Sequence, residues 1–372
     1  MAQKRIAILA EMFFYFDMVQ FQSGGGENYL LSLIELFKKN DIIVDVYQFS
    51  YETKVVKYKK HKITGLGNVK QGMDYELCTD NGVKMFQELT QDADMYIYLT
   101  QNLCANKSPK PSIAINHGIY WNFCAPTYKQ PEWNNKVKRW NRNVDKVVCV
   151  DTDFVNFTRA NFPEQIDKMF YTPNFVDTDK FIAQPKVDKS KFTVLYPRRL
   201  NELRGLGLAT ESASILTEKY DDIEFIFCGN GLNGVNEQMA QWAKDHKNCV
   251  YMNKDLSEMA PVYNLSDIVL VPSIASEGLS LSMLEGMSSG KGCIGSDVGG
   301  IPNALINNFN GLMIRANEQQ ELTDAIEYAY LHRDEVVQWG ENAKNVAKTF
   351  DKKRWDKSWL NHIESLIGNP NE

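Results

Sequence analysis

Apolar and polar positions follow two rhythms along the chain. KRIAILA (4–10), IIVDVYQF (42–49), MYIYLT (95–100), SIAINH (112–117), KVVCVD (146–151) and KMFYTPN (168–174) are short apolar runs of strand length. Continuous runs of this kind read as strands buried on both faces of a parallel sheet. Between the first two, GGGENYLLSLIELFKKN places Tyr29/Leu30, Leu33/Ile34 and Phe37 at helical spacing. A second series opens with FTVLYPRRL (192–200) and a helix at 205–219, then IEFIFCGNG (223–231), a helix at 236–245 and CVYMN (249–253). DIVLVPS (267–273), GCIGSD and GLMIR add strands, and 317–349 reads as helices. Trp355, Trp359 and Ile363 recur every four residues in the closing RWDKSWLNHIESLIG, an amphipathic helix. Only 51–94 is hard to read, apart from the basic run KVVKYKKHK (54–62), a solvated edge strand.

Two alternating series imply two parallel sheets, and right-handed crossovers make both doubly wound. The expected boundaries are a domain over 1–176, a polar linker over 177–190 containing Pro185, and a domain over 191–351.

Composition narrows the class without naming a chemistry. The 372 residues are 44% hydrophobic and 24% charged with a formal charge of -6, which does not point to nucleic acid. No apolar run approaches the ~18 residues needed to span a bilayer. The start, MAQKRIAILAEMFFYFD, is interrupted by Glu11 and Asp17 and reads as a first strand rather than a signal peptide. Seven cysteines lie scattered without metal-ligand spacing, as expected of reduced core residues in the cytosol.

The densest chemistry follows the apolar run at 267–273. A polar loop (Ile274 to Gly278) leads into LSLSMLEGMSSG, read as a helix with leucines and methionines inward. Glu277 sits in the loop and Glu285 about two turns into the helix, a span of roughly 12 Å. Backbone N–H groups around Gly278 and Leu279 open that helix, and helix N-termini attract anions. In YPRRLNELRG (196–205), Arg199 and Arg204 stand at a strand end and across the next turn. Guanidinium groups bind phosphate bidentately, so near a diphosphate two of them replace a metal ion. Gly24, Gly25 and Gly26 open the first long helix, where a ligand could touch the backbone. His117 ends a strand, and polar residues at the carboxyl ends of parallel strands face the ligand crevice.

Two further features have plain readings. Tyr120, Trp121, Phe123, Trp133 and Trp140 interleave with Lys129, Lys136, Lys138, Arg139 and Arg142. The stretch reads as a helix packed by its tryptophans, and equally suits an anionic membrane surface or a glycan. Asp151-Thr152-Asp153 and Asp177-Thr178-Asp179 read as helix-cap and linker residues rather than metal ligands, and no metal site is expected.

The E-x7-E spacing of Glu277 and Glu285, continued through Gly299, Gly300, Pro302, Asn310 and Gly311, resembles the donor-binding signature of retaining glycosyltransferase family 4, the group 1 transferases. Asn174-Phe175-Val176-Asp177 with Phe181 matches the segment that closes the first domain there. The resemblance implies a GT-B fold: two Rossmann-like domains facing each other across a cleft, with the C-terminal helix (352–368) crossing back to the first. It implies transfer of a sugar, hexosyl or N-acetylhexosaminyl, from a UDP- or GDP-sugar, UDP favoured, with retention of configuration. The acceptor would be a hydroxyl of a glycan, a lipid-linked glycan or a small acceptor, in surface polysaccharide or glycoconjugate synthesis. Neither metal nor other cofactor is implied. Localisation would be cytoplasmic, with peripheral contact at the inner face of an anionic membrane.

Roles follow from the same resemblance. Glu277 would hold donor-sugar hydroxyls, Glu285 the ribose, and Arg199 with Arg204 the departing diphosphate. His117 would line the sugar and acceptor side. Gly25, Gly26 and Glu27 loosely match a GG-x-E segment that faces donor phosphates and acceptor, and the Gly229-Asn230-Gly231 turn matches one near the nucleotide. Arg204 stands where lysine is usual and Arg198 where glycine is usual. Two alternatives keep the fold and change the activity: a catalytically silent glycan-binding partner, and a nucleotide-sugar epimerase that needs no acceptor.

Overall fold

The computed structural model describes residues 3–21, 24–119, 130–184 and 190–368. The chain divides into two units, each built on its own sheet. The first takes the residues up to His117, 130–172 and the C-terminal helix from Asp356, and the second takes Pro173–Trp355 together with Gly118 and Ile119.

In the first unit β1 (Arg5–Ala10), β2 (Ile43–Gln48), β3 (Thr53–Tyr58), β4 (His61–Leu66), β5 (Met95–Tyr98), β6 (Ser112–Asn116), β7 (Lys146–Cys149) and β8 (Met169–Tyr171) form one sheet. Their order is β3-β4-β2-β1-β5-β6-β7-β8, and only β3 runs antiparallel to its neighbour. Helix α1 (Gly25–Lys39) follows β1 and buries Tyr29, Leu30, Leu33, Ile34 and Phe37, the positions its spacing predicts. The region that resists reading, 51–94, holds the β3–β4 hairpin and helix α2 (Tyr75–Leu89). Its buried apolar positions, Cys78, Val83 and Phe86, are too sparse among polar residues to mark a helix from the sequence. The basic run at 54–62 spans the outer strand, the turn and the start of β4, so the expected edge strand is half of a hairpin.

Helix α3 (Gln130–Arg142) carries the basic, tryptophan-rich stretch, and α4 (Thr152–Asn161) follows β7. Trp140 is buried, Lys136 pairs with Glu76 and Glu132, and Lys138 pairs with Glu164. Packing and local ion pairs therefore account for much of this helix. Tyr120, Trp121, Phe123 and Lys129 lie outside the described residues. Among the described residues no helix is long and apolar enough to cross a membrane.

In the second unit β9 (Phe192–Tyr196), β10 (Ile223–Cys228), β11 (Cys249–Met252), β12 (Ile268–Val271), β13 (Gly292–Ser296) and β14 (Gly311–Ile314) are all parallel. Their order is β11-β10-β9-β12-β13-β14. Side chains alternate between two cores. Val194, Tyr196, Phe225, Phe227, Ile268 and Leu270 face one side, while Leu195, Ile226, Val269 and Val271 face the other. Burial on both faces is why β12 reads as an unbroken apolar run. Helices α5 (Leu206–Lys219), α6 (Val235–Asp245), α7 (Met259–Asn264), α8 (Leu281–Ser288), α9 (Gln319–Leu331) and α10 (Arg333–Ala347) cover the two faces. The chain leaves β9 toward β10 and returns on its other side as β12. That reversal is a topological switch point, and ligands of such sheets bind beyond the carboxyl ends of the strands flanking it.

The last helix, α11 (Lys352–Ile367), carries the four-residue apolar stripe inward, with Trp355, Trp359 and Ile363 buried. Trp355 packs on Phe175 of the second unit, with ring centroids 4.4 Å apart. Trp359 donates its indole N–H to the Tyr29 hydroxyl of the first unit at 2.8 Å.

Candidate functional site

Beyond the carboxyl ends of β9 and β12, the second unit brings three charged side chains together. The loop from β12 to α8 turns Glu277 inward, 9% exposed, toward residues that follow β9. Arg198 Nη2 donates to both carboxylate oxygens of Glu277, at 2.9 Å to Oε1 and 2.7 Å to Oε2. Arg204 Nη1 donates to Oε2 at 2.5 Å, and the Ser273 hydroxyl donates to Oε1. Burial pushes the Glu277 carboxyl up, but both guanidiniums and the Ser273 hydrogen bond outweigh it and hold it near about 2. Glu277 is a fixed anion at neutral pH.

The arginines that meet Glu277 are thus Arg204, expected at the diphosphate, and Arg198, to which no role was expected. Arg199 has an exposed side chain, whereas Arg198 is buried and its Nη1 lacks a hydrogen-bond partner. Strand β9 ends at Tyr196, so strand alternation no longer dictates which of the two neighbouring arginines turns inward. The Gly229-Asn230-Gly231 turn braces the backbone here. Leu200 donates its N–H to the Asn230 carbonyl at 2.8 Å, and a Cβ on Gly229 would lie 2.0 Å from the Arg198 carbonyl oxygen.

Three glycines clamp the Glu277 loop. A Cβ on Gly118 would lie 2.6 Å from the Gly278 nitrogen, one on Gly299 2.0 Å from the Glu277 carbonyl oxygen, and one on Gly300 2.4 Å from the Leu279 nitrogen. Gly300 also donates its N–H to the Glu277 carbonyl at 2.8 Å. The Gly278 and Leu279 amides, expected to open the helix toward a ligand, are therefore closely backed by glycine backbone. The Leu279 side chain belongs to the core. The amides that remain unbonded within the helix belong to the first turn of α8, after Ser280, whose side chain makes no capping bond.

Glu285 sits on α8, half-buried, and its Oε2 accepts the Tyr263 hydroxyl hydrogen at 2.7 Å. Burial raises its carboxyl to about 7, against the opposing pull of Tyr263 and Lys180. Tyr263 gives no sequence signal, since its ring is simply one more core residue of α7.

The first unit's candidates are placed as follows. His117 directly follows β6, its Nε2 lies 3.0 Å from the Leu99 carbonyl, and its ring meets Tyr29 edge-on. A carbonyl only accepts, so Nε2 carries the hydrogen and Nδ1 is left as an acceptor. Burial lowers this imidazole to about 4, so it is neutral. Gly25 and Gly26 form the first turn of α1, and Glu27 is buried behind them. A Cβ on Gly26 would meet nothing within 4 Å, so no described neighbour requires a glycine there.

Among the described residues no three His, Cys, Asp or Glu side chains group as metal ligands. Asp151 caps α4 through the Phe154 N–H, and Asp177 accepts from the amides of Asp179 and Lys180. Both triplets therefore end in backbone turns.

The family model described as "Glycosyl transferases group 1" matches residues 177–346. The match lies within the second unit. An uncharacterized glycosyltransferase of Methanocaldococcus jannaschii is 25% identical over 236 residues, 61% of this chain and 60% of that protein. The chain spans about half the length of the curated relatives it matches. Among solved structures, sucrose-phosphate synthase from Thermosynechococcus elongatus superposes with TM-score 0.80 at 14% identity, covering 98% of this chain and 99% of that one. Anabaena HepE, solved in complex with UDP and glucose, gives 0.74 at 16% identity, covering 98% and 100%. At such identities the likeness is of fold, and the fold is GT-B.

Proposed function

We propose that the chain is a retaining glycosyltransferase, moving a sugar from a nucleotide-diphosphate donor to a hydroxyl of a glycan or lipid-linked glycan. The observation that carries this reading is Glu277, a buried carboxylate held ionised by two guanidiniums at the sheet's switch point, eight residues before Glu285. A fixed carboxylate accepts hydrogen bonds from sugar hydroxyls, and a second one suits ribose hydroxyls. Departure of a nucleoside diphosphate develops negative charge, which Arg204 and the open amides of α8 are suited to meet. Neutral His117, with Nδ1 as acceptor, suits a substrate hydroxyl. UDP-sugars are the first donors to try, because the structural relative HepE was solved with UDP. Since the positive charge comes from the chain itself, transfer is expected to persist in excess EDTA.

A thermal-shift screen of UDP- and GDP-sugars, followed by transfer assays to glycan acceptors, tests the reading. A stabilising nucleotide sugar whose sugar appears on an acceptor supports it, and Glu277→Gln should then lower transfer at least about a hundredfold. Epimerised donor formed without acceptor would point to the epimerase reading. The absence of any nucleotide-sugar binding would overturn the proposal.

A further inference from the structure

Glu277 has no accepting capacity left. An ionised carboxylate offers about four lone-pair sites on its two oxygens. Here Arg198 Nη2 contacts both oxygens, Ser273 takes Oε1 and Arg204 takes Oε2, four contacts in all. A sugar hydroxyl can bind Glu277 only if one of these partners leaves.

The three partners differ in what leaving would cost. The Arg198 side chain is 6% exposed, so removing it from Glu277 would strand a buried charge. Ser273 is fully buried. The Arg204 side chain is 35% exposed, and its residue closes a short turn pinned by the Asn201 side chain at the Arg204 amide, 3.0 Å away. Its backbone is thus anchored while its guanidinium has solvent beside it. A diphosphate carries more charge than a carboxylate and offers the same bidentate geometry, so it competes for this arginine.

We propose that Arg204 is the exchangeable partner of Glu277, and Arg198 the permanent one. A diphosphate draws Arg204 away, and only then does Glu277 Oε2 accept a hydroxyl of the donor sugar. This deepens the proposed function and rests on it. The exchange orders recognition, since the diphosphate must be in place before the sugar can be held. Arg198, at the position where the resembling family has glycine, acts as a positioning residue that keeps Glu277 in place and charged after Arg204 has gone.

The exchange makes a prediction of opposite signs. In Glu277→Gln, Arg204 is no longer held by an anion, so UDP and inorganic diphosphate should bind about tenfold tighter than to the wild type. A UDP-sugar should lose affinity relative to UDP. Removing a negative charge would also favour anions through space, so the decisive comparison uses an Arg204→Ala background. There Glu277→Gln should bring little or no gain. Isothermal titration of the four full-length proteins with UDP and inorganic diphosphate gives the cycle, and circular dichroism checks their folds. An equal gain with and without Arg204, or no gain in either, would overturn the exchange while leaving the donor reading intact. Wild-type protein that binds neither UDP, GDP nor inorganic diphosphate would overturn the donor reading itself, and the exchange with it.

Discussion

Tyr263 donates its hydroxyl hydrogen to Glu285 Oε2 across 2.7 Å, from a ring that is wholly buried. One carboxylate oxygen is thereby fixed by the core, and in the proposed function the other accepts from the ribose. Tyr263→Phe deletes that donor without opening a cavity. Nucleotide affinity should fall about tenfold with the fold retained, as read by titration calorimetry and circular dichroism. Unchanged affinity would mean that the hydroxyl only satisfies the core.

The same carboxyl should couple binding to protons. Burial places Glu285 near about 7, so at pH 6 it is mostly protonated, whereas ribose hydroxyls are best accepted by the anion. Nucleotide binding at pH 6 should release close to one proton, and little at pH 8.5. Calorimetry in two buffers of different ionisation enthalpy measures this. Glu285→Gln should abolish the release.

Folding stability carries both signs of this linkage. The Glu285 value lies above its ordinary 4.5, so its contribution is full below about 4.5 and is lost as pH rises through about 7. The Glu277 value lies below 4.5, so its contribution is present above 4.5 and is lost as pH falls toward 2. In denaturant titrations between pH 5 and 8, the stability of the wild type relative to Glu285→Gln should fall as pH rises, with His117 and His362 contributing equally to both.

Gly299 and Gly26 should answer differently to the same substitution. At Gly299 the backbone φ is +54° and a Cβ would strike the Glu277 carbonyl, so Gly299→Ala should cost about 2–4 kcal/mol and most of the activity. At Gly26 a Cβ meets open space, so Gly26→Ala should fold as well as the wild type. Loss of transfer by Gly26→Ala would then mark the position as one a substrate approaches. Thermal unfolding alongside transfer assays separates the two effects.

The parts of the fold legible in the sequence are those where one residue type meets one environment. DIVLVPS reads as a strand because β12 is buried on both faces, and the stripe of Trp355, Trp359 and Ile363 reads as a helix because only one face is covered. Helix α2 escaped because Cys78, Val83 and Phe86 leave most of its length polar. At the site, the carboxylates stand out through their spacing, but the choice between Arg198 and Arg199 does not. It depends on how the backbone turns after Tyr196, which no periodicity encodes. Tyr263 escaped for the opposite reason, since a tyrosine in a core helix looks like any other apolar residue until its hydroxyl is seen to meet Glu285.

The position of Trp359 bears on how the chain is made. A ribosome delivers residues 173–355 before it delivers the indole that packs beside Tyr29 and Phe37. The second unit therefore has its whole sheet in hand while the first, although translated earlier, still lacks a buried tryptophan of its core. Burial of such a ring contributes a few kcal/mol, a large share of a domain's net stability. The first unit's core is therefore completed only when residues 356–367 have been delivered, whereas the second unit's sheet is complete once β14 has been made.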